Sequence, residues 1–376
     1  MTMPSTSQPP AARQRLEGVT AAGRAKVALV SLRFKPAFVS HPSAFGKACQ
    51  ELGSDVELIV DPAYAQFPEL RAVRPITAHS GARFGCSYSH ALFMNVSLEN
   101  RRLAARLKSG GTKILYLYHE PWESSRRSFT AEGMLGGLGW ALAHHVSVPM
   151  LRLADVVILP SRYAADVYRR ADVRYNTNAC YVPLLFDDET PGRIRENPGG
   201  RRYFSCIGAI CRTHGFDQYV AFIRESIARK SHLRFLIAFR LLLPSYVLGD
   251  SLIKRNLDRI EIRCGRPLGS EEINQCYSES LCVWTLYRRA TQSGVLPKAF
   301  MFGTPVLASR VGSFPEFIKD KFTGTFASLG DIRAIKMALK DICENIGEYS
   351  VNCRKTFLET FFYRSNLPAL ARLLAN

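Results

Sequence analysis

The chain contains no stretch of about 18 unbroken apolar residues, the length a membrane-spanning helix needs. The nearest candidates are interrupted, "LRFLIAFRLLLPSYVL" by Arg240 and Pro244 and "MLGGLGWALAHHVSVPML" by His144 and His145. The sequence is therefore read as one that does not span a bilayer, although it can lie on one. Also missing is any Cys-x-x-Cys pair or Cys/His cluster, which argues against a structural zinc. The ten cysteines are scattered, several inside apolar segments such as "YFSCIGAIC" and "SLCVWTL", where a reduced thiol acts as a small hydrophobe. A reducing, cytoplasmic compartment is expected. Zinc-finger spacing, RNP-type aromatic runs and basic heptads are lacking too, so nucleic acid is not the expected partner.

Acidic residues are few. There are 32 Asp and Glu against 50 Lys and Arg, a net charge of +18 spread over both halves of the chain. Such an excess favours anionic partners: phosphorylated small substrates or anionic lipid headgroups. At 376 residues and 47% hydrophobic, the chain suits two globular domains, each able to bury a core.

Residues 1–24, rich in Pro, Ser, Thr, Ala and Gln, lack the apolar core of a signal peptide and are read as a disordered leader. From 25 to 186 the chain alternates. "KVALVSL" reads as a buried strand, "RFKPAFVSHP" as a loop, "SAFGKACQELG" as a helix and "DVELIVD" as a strand. Helix "VSLENRRLAARLKSGG", strand "KILYLYHEP", a long helical region to residue 153 and strand "DVVILPS" follow. The polar, Pro- and Gly-bearing segment 187–200 marks a linker. Residues 201–376 repeat the alternation through "RYFSCIGAI", "LRFLIAF", "RIEIRCG" and "LCVWTLY", with a Ser-Glu-Glu cap opening helix "SEEINQCYSES". The expected fold is α/β, two Rossmann-like doubly wound domains facing across a cleft, with ligands at the carboxyl ends of the strands. The last helix can pack back on the first domain.

Three stretches carry candidate chemistry. In "SGVLPKAFMFGTPVLASRVGSFPEF" (293–317), Ser293 and Gly294 open a helix just after a core strand, and Gly303 closes it. Backbone N–H groups at Ser293, Gly294 and Val295 would face an anion, and Lys298 adds a charge that sits awkwardly with the helix dipole unless an anion lies beside it. In "YLYHEPWESSRR", His119 ends a strand and Glu120 and Glu123 follow as possible acid/base groups. In the first strand-to-helix loop, His41 and Ser43 are possible acceptor or donor contacts, a bland loop being the simpler reading.

The order of these segments resembles glycosyltransferases of family 4, the group 1 glycosyl transferases of GT-B fold. "KAFMFGTPVLASRVGSFPEF" is similar to that family's E-A-M-A-C-G-T-P-V-V-A-S segment, and "FSCIGAICRTHGFDQYVAFI" to its strand, Gly-Arg loop and helix start. "LADVVILPSRYAADVYRRA" and "YVPLLFD" are similar to its A-D-x-V-I-x-x-S and V-I-P-N-G-V-D elements. The resemblance implies a sugar transferase taking a nucleotide-sugar donor, with no further cofactor and no metal, and makes a nucleotide-sugar epimerase or a non-catalytic nucleotide-binding relative the rival readings. It implies donor contacts from Gly208, Arg212, His214, Ser293, Gly294, Val295 and Lys298. His119 takes the place of a histidine that contacts the transferred sugar in a branch similar to the phosphatidylinositol mannosyltransferases, with Glu120 beside it. An acceptor that is a sugar or lipid-linked, in exopolysaccharide, capsule or lipopolysaccharide synthesis at the inner face of an anionic membrane, is implied by the same analogy.

The chain also departs from the family. The acidic pair E-x7-E is replaced by Ala290 and Lys298, and the diphosphate-clamping arginine and lysine by Ala209 and His214, with Arg212 between them. An ammonium cannot accept hydroxyl protons as a carboxylate does. Lys298 either reaches diphosphate, or the ribose is held elsewhere.

Overall fold

The computed structural model describes residues 25–375 except 36–38, 68–69, 71–72, 74–75, 79–86, 124, 191–199, 240–241 and 267. The expected leader and most of the expected linker lie outside the described residues.

The first unit runs β1 (Lys26–Ser31), α1 (Ser40–Glu51), β2 (Asp55–Val60), β3 (Ile76–Ala78), β4 (His90–Phe93), α2 (Leu98–Ser109), β5 (Lys113–Leu117), α3 (Ser125–Leu153), β6 (Val156–Leu159), α4 (Arg162–Ala171) and β7 (Ala179–Tyr181). Its seven strands are parallel in the order β3-β2-β1-β4-β5-β6-β7. Helices cover both faces, which is why "KVALVS" is buried at every position after Lys26 instead of alternating. Phe45, Leu58 and Leu115 pack on one side of the sheet, and Phe93, Leu107, Met150 and Tyr168 on the other. Serine caps start two of the helices. Ser97 Oγ accepts from Asn100 N at 3.1 Å, and Ser161 Oγ from Ala164 N at 2.8 Å, each satisfying an N–H that the helix cannot.

The second unit runs β8 (Tyr203–Ile207), α5 (Phe216–Ala228), β9 (Arg234–Ala238), β10 (Ile260–Arg263), α6 (Ser270–Ser278), β11 (Ser280–Thr285), α7 (Val295–Met301), β12 (Val306–Ala308), β13 (Gly324–Phe326), α8 (Ile332–Glu344) and α9 (Ile346–Thr356). Six parallel strands lie in the order β10-β9-β8-β11-β12-β13 around fully buried Trp284, Phe204 and Phe235. Burying each such ring contributes about 1.5–3 kcal/mol. In both sheets the order reverses beside the first strand, at β1/β4 and β8/β11, the switch points where open α/β sheets bind ligands.

The chain then returns. Phe186 and Phe362 form a parallel bridge, and the final helix α10 (Leu367–Ala375) places Leu370 and Leu373 in the core of the first unit. Tyr363 Oη donates to Glu51 at 2.6 Å.

Three sequence expectations need correction. His41 and Ser43 lie not in a loop but in the first turn of α1, which tolerates Pro42 because an N–H there has no intrahelical partner to lose. Ser270 is the first residue of α6, with Gly269 before it donating its N–H to Glu272 at 3.0 Å. Strands β3 and β4, of three and four residues, were not foreseen, because such short runs carry no readable period.

Candidate functional site

The loops after the switch-point strands face one another. Gly208, just after β8, has φ +107°, and a Cβ there would lie 3.1 Å from Val295 Cγ2. The chain needs glycine to bring β8's end against the start of α7. His214 stacks on Tyr287 at 4.1 Å between ring centroids, 17° from parallel, and the Tyr287 hydroxyl bonds to Ser293. Gly208, His214, Ser293, Gly294 and Val295 are thus joined into one lining. Arg212 is exposed at the tip of the loop; its carbonyl accepts from Arg288, whose guanidinium also grips Asp217 through two bonds of 2.8 Å.

From the other unit come His41 and His119. Their rings lie 5.5 Å apart, and Phe186 presents its edge to His41 at 5.2 Å. His119 Nε2 donates to the Met94 carbonyl at 3.0 Å, which fixes the proton on Nε2 and makes Nδ1 the acceptor. Burial, then the charges of His41 and Lys35, hold the His119 imidazole well below its ordinary value, so it is neutral. Burial likewise brings His41 down to about 4, with the Lys298 ammonium adding to the effect against the Leu185 carbonyl. His41, on the first unit, therefore senses Lys298, on the second.

Glu120 bridges the units electrostatically. Burial lowers Lys35 while the Glu120 charge opposes it. Burial would also lower His214, but Cys211, the Ala209 carbonyl at 2.8 Å and Glu120 together raise it. The structure thus gathers a neutral histidine, a carboxylate and a histidine inclined to protonation around one cleft, a set able to orient hydroxyls and meet developing negative charge. Ser43 is buried in α1.

Lys298 is the fourth of the seven residues of α7 and is almost fully buried. The anion beside it is Glu189, whose carboxylate accepts from Lys298 Nζ, from Asn274 Nδ2 at 3.0 Å and from Ser40 Oγ at 3.3 Å. The neighbouring acids are used the same way: Asp187 pairs with Lys47 of α1, and Asp188 with Arg354 of α9. "DDE" at 187–189, read from sequence as a plain polar linker, is a clasp with one base in each of three helices.

The cleft is closed at one side by contacts that sequence reasoning missed. Glu123, expected as a possible acid/base group, is instead spent on a buried pair with Arg289 at 2.8 Å and on Tyr163 Oη at 2.5 Å. Arg289 also lies over the Trp140 ring at 4.2 Å. Glu316 accepts from the Arg162 and Tyr163 amides, answering the N-terminus of α4 from the opposite unit. Ser161 Oγ donates to the Thr291 carbonyl at 2.8 Å. The only prior signal was the Ala290/Lys298 replacement one residue away from Arg289. Among the described residues no group of three or more His, Cys, Asp or Glu side chains is arranged to hold a metal ion.

Residues 201–345 match the family described as glycosyl transferases group 1. No curated protein matches the chain in sequence. Among solved structures, sucrose-phosphate synthase from Thermosynechococcus elongatus superposes with a TM-score of 0.67 at 15% identity, covering 94% of this chain and 98% of that one. HepE from Anabaena, solved with UDP-glucose, gives 0.65 at 15% identity, covering 93% and 99%. A glycosyltransferase from Rickettsia africae gives 0.65 at 10% identity, covering 94% and 98%. The chain has the GT-B fold, and its match to the group 1 glycosyl transferases lies in the second unit.

Proposed function

We propose that this protein transfers a sugar from a nucleotide-diphosphate sugar to an acceptor hydroxyl in the cleft between its two units. The observation that carries the reading is the convergence of Gly208, His214, Ser293–Val295 and Lys298 from the second unit with His41, His119 and Glu120 from the first, under a group 1 glycosyl transferase match. The HepE structure, with UDP-glucose bound in the same fold, supports a nucleotide-sugar as the donor class.

In this reading the second unit holds the donor. The backbone at Gly208 lets a diphosphate approach closely, and Lys298 meets the charge that builds on the departing phosphate, exchanging Glu189 for it. His119 offers a neutral Nδ1 to the sugar hydroxyls. Glu120, the carboxylate whose charge acts on both Lys35 and His214, takes the acceptor's proton. No step calls for a metal ion. The acceptor is a lipid-linked or polysaccharide hydroxyl met at an anionic membrane surface on the cytoplasmic side, a reading supported by the +18 charge.

The test is incubation of the protein with labelled nucleotide-sugars and a membrane lipid extract. Label transferred to the extract, lost in His119→Ala, is the expected result. Epimerised donor formed without any acceptor would favour an epimerase, and nucleotide binding without turnover a non-catalytic relative.

A further inference from the structure

The helix that follows the His119–Glu123 segment leaves an apolar stripe uncovered. On α3, Met134, Leu138, Leu142 and Val146 are 75%, 56%, 66% and 42% exposed. They recur every fourth residue, which places them along one side of the helix. The reason for their exposure is length. A helix of 29 residues is about 43 Å long, whereas the five residues of β5 span about 17 Å. Among the described side chains of α3, those of its last part, with Met150 and Leu151, reach the core of the sheet. The stripe lies on the part that extends toward the cleft, where Trp140 meets Arg289 of the other unit.

Basic side chains flank it. Helix α2 packs beside α3 and exposes Arg101, Arg102 and Arg106. By the C-terminal end of α3, where Lys108 of α2 donates to the Leu153 carbonyl at 2.7 Å, Arg152 and exposed Arg174 lie on Tyr175, at 5.4 and 4.9 Å from its ring. No described helix is long and apolar enough to cross a membrane, so this stripe lies along a surface rather than through a bilayer. We propose that the α3 stripe, flanked by the α2 arginines, is the surface by which the protein docks on an anionic phospholipid bilayer. Apolar side chains enter the acyl boundary while guanidinium groups meet the headgroups, the arrangement of an interfacial helix. Docking by this face sets the mouth of the cleft at the lipid surface. The inference deepens the reading above, since it names where a lipid-linked acceptor is met.

The experiment is co-sedimentation of the full chain with phosphatidylcholine vesicles, with and without an equal part of phosphatidylglycerol. Three proteins are compared: wild type, Leu138→Asn with Leu142→Asn, and Arg101→Gln with Arg102→Gln and Arg106→Gln. Wild type should sediment with the phosphatidylglycerol vesicles and much less with phosphatidylcholine alone, and both variants should bind at least tenfold more weakly with unchanged melting temperatures. Wild type failing to bind phosphatidylglycerol vesicles, or the asparagine variant binding as wild type does, would overturn the proposal. So would a wild-type dimer that the asparagine variant turns into a monomer, because the stripe would then be a self-interface. Nucleotide binding measured without vesicles keeps the two claims apart: its absence contradicts the transferase reading, and its presence beside failed vesicle binding contradicts only the docking surface.

Discussion

Lys298 and Glu189 form an ion pair between α7 and the segment that joins the two units, with Asn274 bonded to both partners. The sequence reading that sets this ammonium against a helix dipole is corrected by the fold, which places Lys298 in the last turn of α7, where the dipole favours a cation, and answers it with a carboxylate of the chain itself. In the proposed reading, donor binding at this place exchanges one anion for another.

Because both partners are largely buried, removing one leaves the other uncompensated. Lys298→Ala should lower unfolding free energy by about 3–5 kcal/mol, and replacing the pair together, Lys298→Met with Glu189→Leu, should recover most of that loss. Urea unfolding of the single and double variants measures the coupling. Additive losses would show that the pair does not hold the units.

The Glu123–Arg289 pair should behave alike, with a functional readout. Glu123→Ala leaves a buried guanidinium between Trp140 and nothing anionic, at a cost of about 3–5 kcal/mol. Since the pair joins the two units, small-angle scattering should show a more open molecule. An unchanged radius of gyration would contradict its role as an interdomain contact.

Acid should destabilise the fold through His41. The unfolded imidazole takes up a proton below about pH 6.5, whereas in the fold it does so only near 4. Stability is therefore complete above pH 6.5 and is lost as pH falls toward 4, by up to about 1.4 kcal/mol per pH unit. His119, lowered in the same direction, adds to the slope. His41→Gln should flatten the dependence of melting temperature on pH between these limits; an unaltered slope would remove His41 from the account.

Gly312 is a backbone constraint beside the same site. It has φ +54°, and a Cβ would fall 1.6 Å from the Ala290 carbonyl oxygen, with which the Ser313 amide is bonded at 2.9 Å. Gly312→Ala should cost at least about 2 kcal/mol, from left-handed strain of about 1–2 kcal/mol plus the displaced strand-end loop. Thermal unfolding checks it.

The two-unit fold was legible because buried parallel strands such as "KVALVS" and "LCVWT" read as unbroken apolar runs, spaced by helices with serine caps or closing glycines. The approach of Ser293–Val295 to the cleft was legible from the Ser-Gly turn after a strand. The pairing of Lys298 with Glu189 was not, since nothing local links residues 109 positions apart. Nor was the fate of Glu123, whose partner Arg289 belongs to the other unit. Ion pairs between units are set by how the sheets face each other, and composition does not carry that information.

The most direct measurement of the central claim is the melting temperature of wild type and Lys298→Ala with and without UDP, GDP and ADP, each protein compared with its own ligand-free value. Ligand at 100 times its dissociation constant adds about 2.7 kcal/mol to native stability. The account predicts that at least one nucleotide raises the wild-type melting temperature and that the rise is largely lost in Lys298→Ala. An equal rise in both proteins would contradict the place given to Lys298, and no rise with any nucleotide would contradict the cleft as a nucleotide-sugar site.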